Sequence, residues 1–185
     1  MGTFFDDAWP QAVSFRSFLE SAKTKGELWL TKAETARFPE QERERALALP
    51  FERRVLVLCE HWCPDAIRSV PVMAALAEAT PKIELRVLDS GEHPECLSGR
   101  LTRGARAIPL AVCFDETGHE IGFWGPRPAP LQALLRAKIR REGSPSKEEQ
   151  AAFYAPIMEW YEGDGGRVIA EELLLLLERD SPASV

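Results

Sequence analysis

Trp62-Cys63, between the apolar run Val55-Leu56-Val57-Leu58 and a stretch that turns helical at Pro64, is where this chain carries its most reactive chemistry. A strand that delivers a cysteine to the first turn of a helix sets its sulfur against unpaired backbone N–H groups and the positive end of the helix dipole. Both favour thiolate, the nucleophile of disulfide exchange. Asp65 is the counterweight, because a like charge two residues away raises a thiol pKa. Arg68, three residues beyond Asp65, is its expected ion-pair partner. Capping or first-turn charge is the alternative role for Asp65. The balance predicts a solvent-accessible, moderately acidified thiol at Cys63.

A thiol that has attacked a disulfide must be released by another thiol. Three residues after Cys63 stands Ala66, so no neighbouring cysteine in the helix serves. Release then falls to an external low-molecular-weight thiol or to a cysteine elsewhere in the chain. Cys96 is the internal candidate, since the segment after the second strand leaves the sheet at the carboxyl end where Cys63 sits; its alternative role is that of a half-buried spectator. Cys59 closes a strand, and four residues of partly extended chain hold its sulfur away from Cys63. Cys113 falls inside a strand and reads as a small buried hydrophobe. A different reading gathers Cys59, His61, Cys63, His93 and Cys96 as metal-ligand types, at a spacing of no standard zinc site. No metal or other cofactor is expected.

Several elements must position these residues. Arg53 to Cys59 is a β-branched and leucine run suited to a buried strand, and Pro64 to Ala79 is helical with Pro71 inside it. Lys82 to Asp89 alternates apolar and polar residues, which completes a right-handed strand–helix–strand crossover. A short helix is expected within His93 to Leu101. Two further strands, Ile108 to Phe114 and Glu120 to Trp124, are joined by Asp115-Glu116-Thr117-Gly118 as a hairpin. An amphipathic helix follows over Pro128 to Arg141. The order predicts an α/β fold, a mixed sheet with helices on both sides.

Flanking this unit are two helical arms. One helix is expected over Asp7 to Thr24 and a second helical region to Ala48, interrupted at Pro39. At the other end, Glu148 to Tyr161 and Arg167 to Arg179 read as helices, the latter holding five consecutive leucines, Leu173 to Leu177, that require a packing partner. The expected division is an N-terminal extension over 1–50, a central domain over 51–142 and a C-terminal extension over 143–185 packed on the core.

Composition narrows the function classes. The 185 residues are 45% hydrophobic and 28% charged with a net charge of -6, and no basic stripe alternates with aromatics. Nucleic acid is therefore an unsuitable partner. No apolar run is long enough to cross a bilayer, and the acidic N-terminus is unlike a signal peptide. These features, with four unevenly spaced cysteines, predict a soluble, cytoplasmic protein. Its oligomeric state is left open.

Three anchors in order, Trp62-Cys63, Pro71 eight residues later, and Gly104-Ala105-Arg106-Ala107-Ile108-Pro109, make Arg53 to Arg141 resemble thioredoxin. The arms, and the pairing of Trp62-Cys63 with Gly125-Pro126-Arg127-Pro128, further resemble single-cysteine thioredoxin-like proteins of bacteria. The resemblance implies a thioredoxin-like fold, a cis-proline at Pro109, and an Ile108 backbone free to pair with an extended peptide beside Trp62 and Cys63. Arg127, on the same rim, is a candidate for a substrate carboxylate. Two departures change the chemistry: Ala66 replaces the family's second cysteine, and Val57 replaces its buried acid. Single-cysteine exchange with a protein or low-molecular-weight disulfide, or redox sensing, is the expected function. A peptide-binding module without turnover is the alternative.

Overall fold

The computed structural model of the chain describes residues 3–102 and 104–179. At its centre is β2 (Arg53–Cys59). Alternate residues of a strand point to opposite faces, so Val55, Val57 and Cys59 enter one apolar cluster while Leu56 and Leu58 enter another. Beside β2 run β3 (Ile83–Asp89) in parallel and β4 (Leu110–Phe114) antiparallel. The two-residue β1 (Val13–Ser14) pairs with β3, and β5 (Glu120–Trp124) with β4, giving the order β1-β3-β2-β4-β5. Register places Cys59 opposite Asp89 and Leu58 opposite Leu110. One rim therefore holds the ends of β2 and β3 and the start of β4.

The N-terminal arm corrects the expectation of one helix over Asp7 to Thr24. Helix α1 (Phe4–Ala8) passes into a 3-10 turn at Trp9–Gln11, β1 follows, and α2 spans Phe15–Glu20. Pro10 removes a backbone donor, which stops the first helix. Local hydrogen bonds fix both helix starts: Thr3 and Asp6 form a reciprocal capping box, and Ser14 Oγ accepts from Ser17 N at 3.1 Å. The chain then runs through α3 (Gly26–Thr35) and α4 (Glu40–Leu47), broken around Pro39 as expected.

Helix α5 (Pro64–Glu78) makes the β2-to-β3 crossover, with Pro64 in its first turn, where the missing N–H costs nothing. A 3-10 turn, Pro94–Leu97, stands within the expected His93 to Leu101 helix. Helix α6 (Ala129–Glu142) follows β5, and the C-terminal arm comprises α7 (Gln150–Trp160), a π-helical turn (Tyr161–Gly165) and α8 (Gly166–Leu177). Four of the five leucines in α8 are buried, and Leu175 faces outward. They join a cluster that also holds Trp29, Val57, Ile67 and Leu131, so both arms and the central sheet share one core. Burying a leucine fully contributes roughly 2 kcal/mol. Among the described residues no helix is long and apolar enough to cross a membrane.

Candidate functional site

Cys63 is the N-cap of α5, in extended conformation with φ -72° and ψ 117°. Its thiol donates to the carbonyl oxygen of Ile108 at 3.5 Å, and the Ile108–Pro109 peptide bond is cis. The structure corrects two expectations about this sulfur. Cys63 is only 4% exposed, and burial pushes its pKa above the ordinary thiol value. Backbone N–H groups of Ala66 and Asp65 and the charge of Arg127 pull it down, while the Asp65 carboxylate adds to the rise. Desolvation of the thiolate outweighs the helix terminus here.

Asp65 corrects a third expectation, because Arg68 is not its partner. Arg127 Nε reaches Asp65 Oδ1 at 2.9 Å and Nη2 reaches Oδ2 at 2.5 Å, and the Tyr161 hydroxyl donates to Oδ1 at 2.9 Å. Arg68 instead donates to the Pro64 carbonyl at 3.1 Å and faces Glu162. The helix turns Arg68 toward the C-terminal arm and leaves Asp65 pointing at the loop after β5. A buried carboxylate thus returns beside the cysteine, although Val57 is apolar. Its two donors hold it as an acceptor. Burial also drives the Tyr161 hydroxyl pKa strongly upward.

Gly125 joins the two proline loops. Its peptide bond to Pro126 is cis and its φ is +134°. A Cβ there would lie 2.2 Å from the Pro109 carbonyl oxygen, so only glycine lets the Arg127 loop pack on the cis-proline loop.

The N-terminal arm fastens the other side of the site. Trp29, fully buried, donates its Nε1–H to the His61 carbonyl at 2.9 Å, and Lys25 Nζ donates to the Trp62 carbonyl at 3.1 Å. The His61 ring stacks on Phe18 with centroids 4.0 Å apart, and its Nε2 pairs with the Phe18 carbonyl at 2.9 Å. Trp62 remains 53% exposed, its indole N–H on Glu60.

The structure gathers Trp62, Cys63, Ile108, Pro109 and Arg127 around one rim. It assigns Cys63 and Cys96 to different apolar clusters, one on each face of the sheet. Cys96, in the Pro94–Leu97 turn, is 7% exposed, and burial followed by the Glu95 carboxylate raises its thiol pKa. Cys59 shares the Cys63 cluster and is fully buried, with its pKa pushed well up by burial and then by Cys63. Cys113 is buried, and burial pushes its thiol up to about 12. All four are free thiols. His61 is spent on Phe18, and no group of three or more potential metal ligands converges among the described residues. Sequence reading missed the roles of Tyr161 and His61. The one available signal for the Asp65 network was an acid in the first turn of a helix whose other residues are largely apolar.

A family model described as thioredoxin matches residues 12–142. Among solved structures, a crystal structure of an HIV epitope scaffold is similar, with a TM-score of 0.72 and 20% identity over 96% of this chain and 99% of that one. A protein of unknown function from Pseudomonas aeruginosa aligns with a TM-score of 0.69 and 24% identity, covering 96% of this chain and 98% of its own. These likenesses establish the fold alone. No curated protein matches the sequence.

Proposed function

We propose that this chain, which belongs to the thioredoxin family, performs single-cysteine thiol–disulfide exchange or redox sensing through Cys63. The observation that carries the reading is the Cys63 sulfur at the N-terminus of α5, 3.5 Å from the Ile108 carbonyl and next to cis-Pro109. An extended substrate lies along Ile108 and against the exposed face of Trp62. Its disulfide displaces the thiol's contact with Ile108. The Cys63 thiolate attacks one substrate sulfur, the old S–S bond breaks and the leaving sulfur departs as a thiolate. A second, external thiolate then attacks the mixed disulfide, forming a new disulfide with the substrate sulfur and returning Cys63 as thiolate. The separation of Cys63 and Cys96 into different clusters favours an external low-molecular-weight thiol over Cys96 as the resolving group. A reducing cytoplasm supplies such a thiol and suits four unpaired cysteines.

A second reading, a peptide-binding module without turnover, is favoured by the 4% exposure and raised pKa of Cys63. The two separate on one experiment. Native protein is treated with oxidised glutathione and digested for mass spectrometry. Exchange predicts a glutathione adduct on Cys63, absent in Cys63→Ser and removed by reduced glutathione. An unmodified Cys63 in native protein that is modified once unfolded would sink the exchange reading, and partner capture undiminished in Cys63→Ser would establish the binding module.

A further inference from the structure

Away from Cys63, a cavity of about 570 Å³ opens between the end of α3 and the π-helical turn. Its charged lining is Lys32, Arg37, Arg68 and Arg167 against Glu162 and Asp164. Four cations to two carboxylates is a local excess on a chain of net charge -6. Lys32 Nζ donates to both oxygens of Glu162, at 2.7 and 2.5 Å, and the same carboxylate is the acid facing Arg68, 3.5 Å from its Nε. One carboxylate thus serves two cations. Arg68 Nε is buried and makes no hydrogen bond, whereas buried donors are ordinarily partnered. Arg37 donates to the carbonyls of Glu34 and Ala36, at 2.9 and 2.6 Å, and among the described residues it has no acidic partner. Arg167 is engaged by Glu171 at 3.1 Å.

The walls are shaped as well as charged. Phe38 and Val72 supply apolar surface. A π-helical turn, a rare form of helix frequent at functional sites, carries Glu162. A Cβ on Gly166 would come within 2.1 Å of the Arg37 carbonyl oxygen, so a glycine is required for α8 to meet the end of α3 here.

We propose that this cavity binds a small organic anion bearing two oxyanion groups. One group replaces Glu162 between Lys32 and Arg68, and the other pairs with the Arg37 guanidinium, whose planar donors suit carboxylate and phosphate alike. Hydrocarbon between the two groups rests on Phe38 and Val72. Anion binding here does not rest on the chemistry at Cys63, although Tyr161, which holds Asp65, also lines this cavity.

Calorimetric titration of the full chain at fixed ionic strength tests it. Succinate and ethane-1,2-diphosphonate, each with two oxyanion groups joined by two methylenes, serve as probes for the carboxylate and phosphoryl forms, and acetate serves as the single-group control. Expected is one-to-one binding of one of these two-group anions, at least ten-fold tighter than acetate, weakened at least ten-fold in Arg68→Gln and in Arg37→Gln. Glu162→Gln, which removes the internal competitor, tightens it. Absence of saturable binding by both two-group anions at millimolar concentration overturns the proposal, as does binding unchanged in folded Arg37→Gln. Acetate binding as tightly as the two-group anions overturns the two-group assignment. Circular dichroism identifies any variant that fails to fold, and the remaining variants then decide.

Discussion

The Arg127 guanidinium grips both oxygens of Asp65 across 62 residues of sequence, at 2.9 and 2.5 Å. Asp65 is 5% exposed at its side chain and Arg127 18%, so water shields neither end well. Removing one partner of a buried pair costs about 3–5 kcal/mol, because the other charge stays buried.

Arg127→Met is therefore expected to lower stability by about 3 kcal/mol, and to raise the Cys63 pKa further, since a positive charge that favours thiolate is lost. Asp65→Asn moves the thiol the other way. Urea unfolding gives the first quantity, and iodoacetamide rates against pH give the second. If the two variants shift Cys63 in the same direction, the electrostatic account of this sulfur is wrong.

Alkylation of Cys63 in the native protein should be slow at neutral pH and should keep rising past the ordinary thiol pKa of about 8.5, because burial raises it. At pH 7 an unshifted thiol is about 3% ionised, and Cys63 should be less so. The rate profile of a variant retaining only this cysteine checks it. A plateau reached below pH 8 would contradict the raised pKa.

Alkaline conditions should also weaken the fold. Below about pH 8.5 the cysteines are protonated in folded and unfolded chains alike. Above it the unfolded chain releases protons that folded Cys113, at about 12, and Cys59 retain. Stability then falls with rising pH, by about 1.4 kcal/mol per unit for each such proton. The urea midpoint should be lower at pH 10 than at pH 7.5, and Cys113→Ala should make that dependence shallower.

Gly125→Ala should act on the site from a distance in sequence. Its Cβ meets the Pro109 carbonyl oxygen at 2.2 Å in a backbone with φ +134°, and both steric and conformational costs apply. A loss of about 2 kcal/mol or more is expected, with amide chemical shifts of Ile108, Leu110 and Arg127 displaced. Unaltered shifts at all three would show that the two loops do not depend on each other.

Much of the fold was legible because its signals are local. The period of two in Lys82 to Asp89 and the apolar run Arg53 to Cys59 both emerge as strands, and the leucines of α8 are buried as their number required. The N-terminal arm resisted the same reading. Apolar residues from Trp9 to Leu19 recur at helical spacing, yet Pro10 interrupts the helix and Val13 pairs with Val87 on a strand far along the chain. Such a pairing leaves no periodic mark on a two-residue strand.

By itself the sequence determined that one cysteine stands at the start of a helix with no second cysteine a turn later, and that Pro109 follows Ile108 at the head of a strand. Covalent order and local period are enough for that. Only tertiary structure decided how the sulfur behaves. Burial, the carboxylate of Asp65 and the guanidinium of Arg127 act on its ionisation, and the Ile108 carbonyl is its hydrogen-bond partner. Tyr161, 96 residues from Asp65, helps to hold that carboxylate. A pKa depends on desolvation and on charges through space, and those distances exist only once the chain is folded.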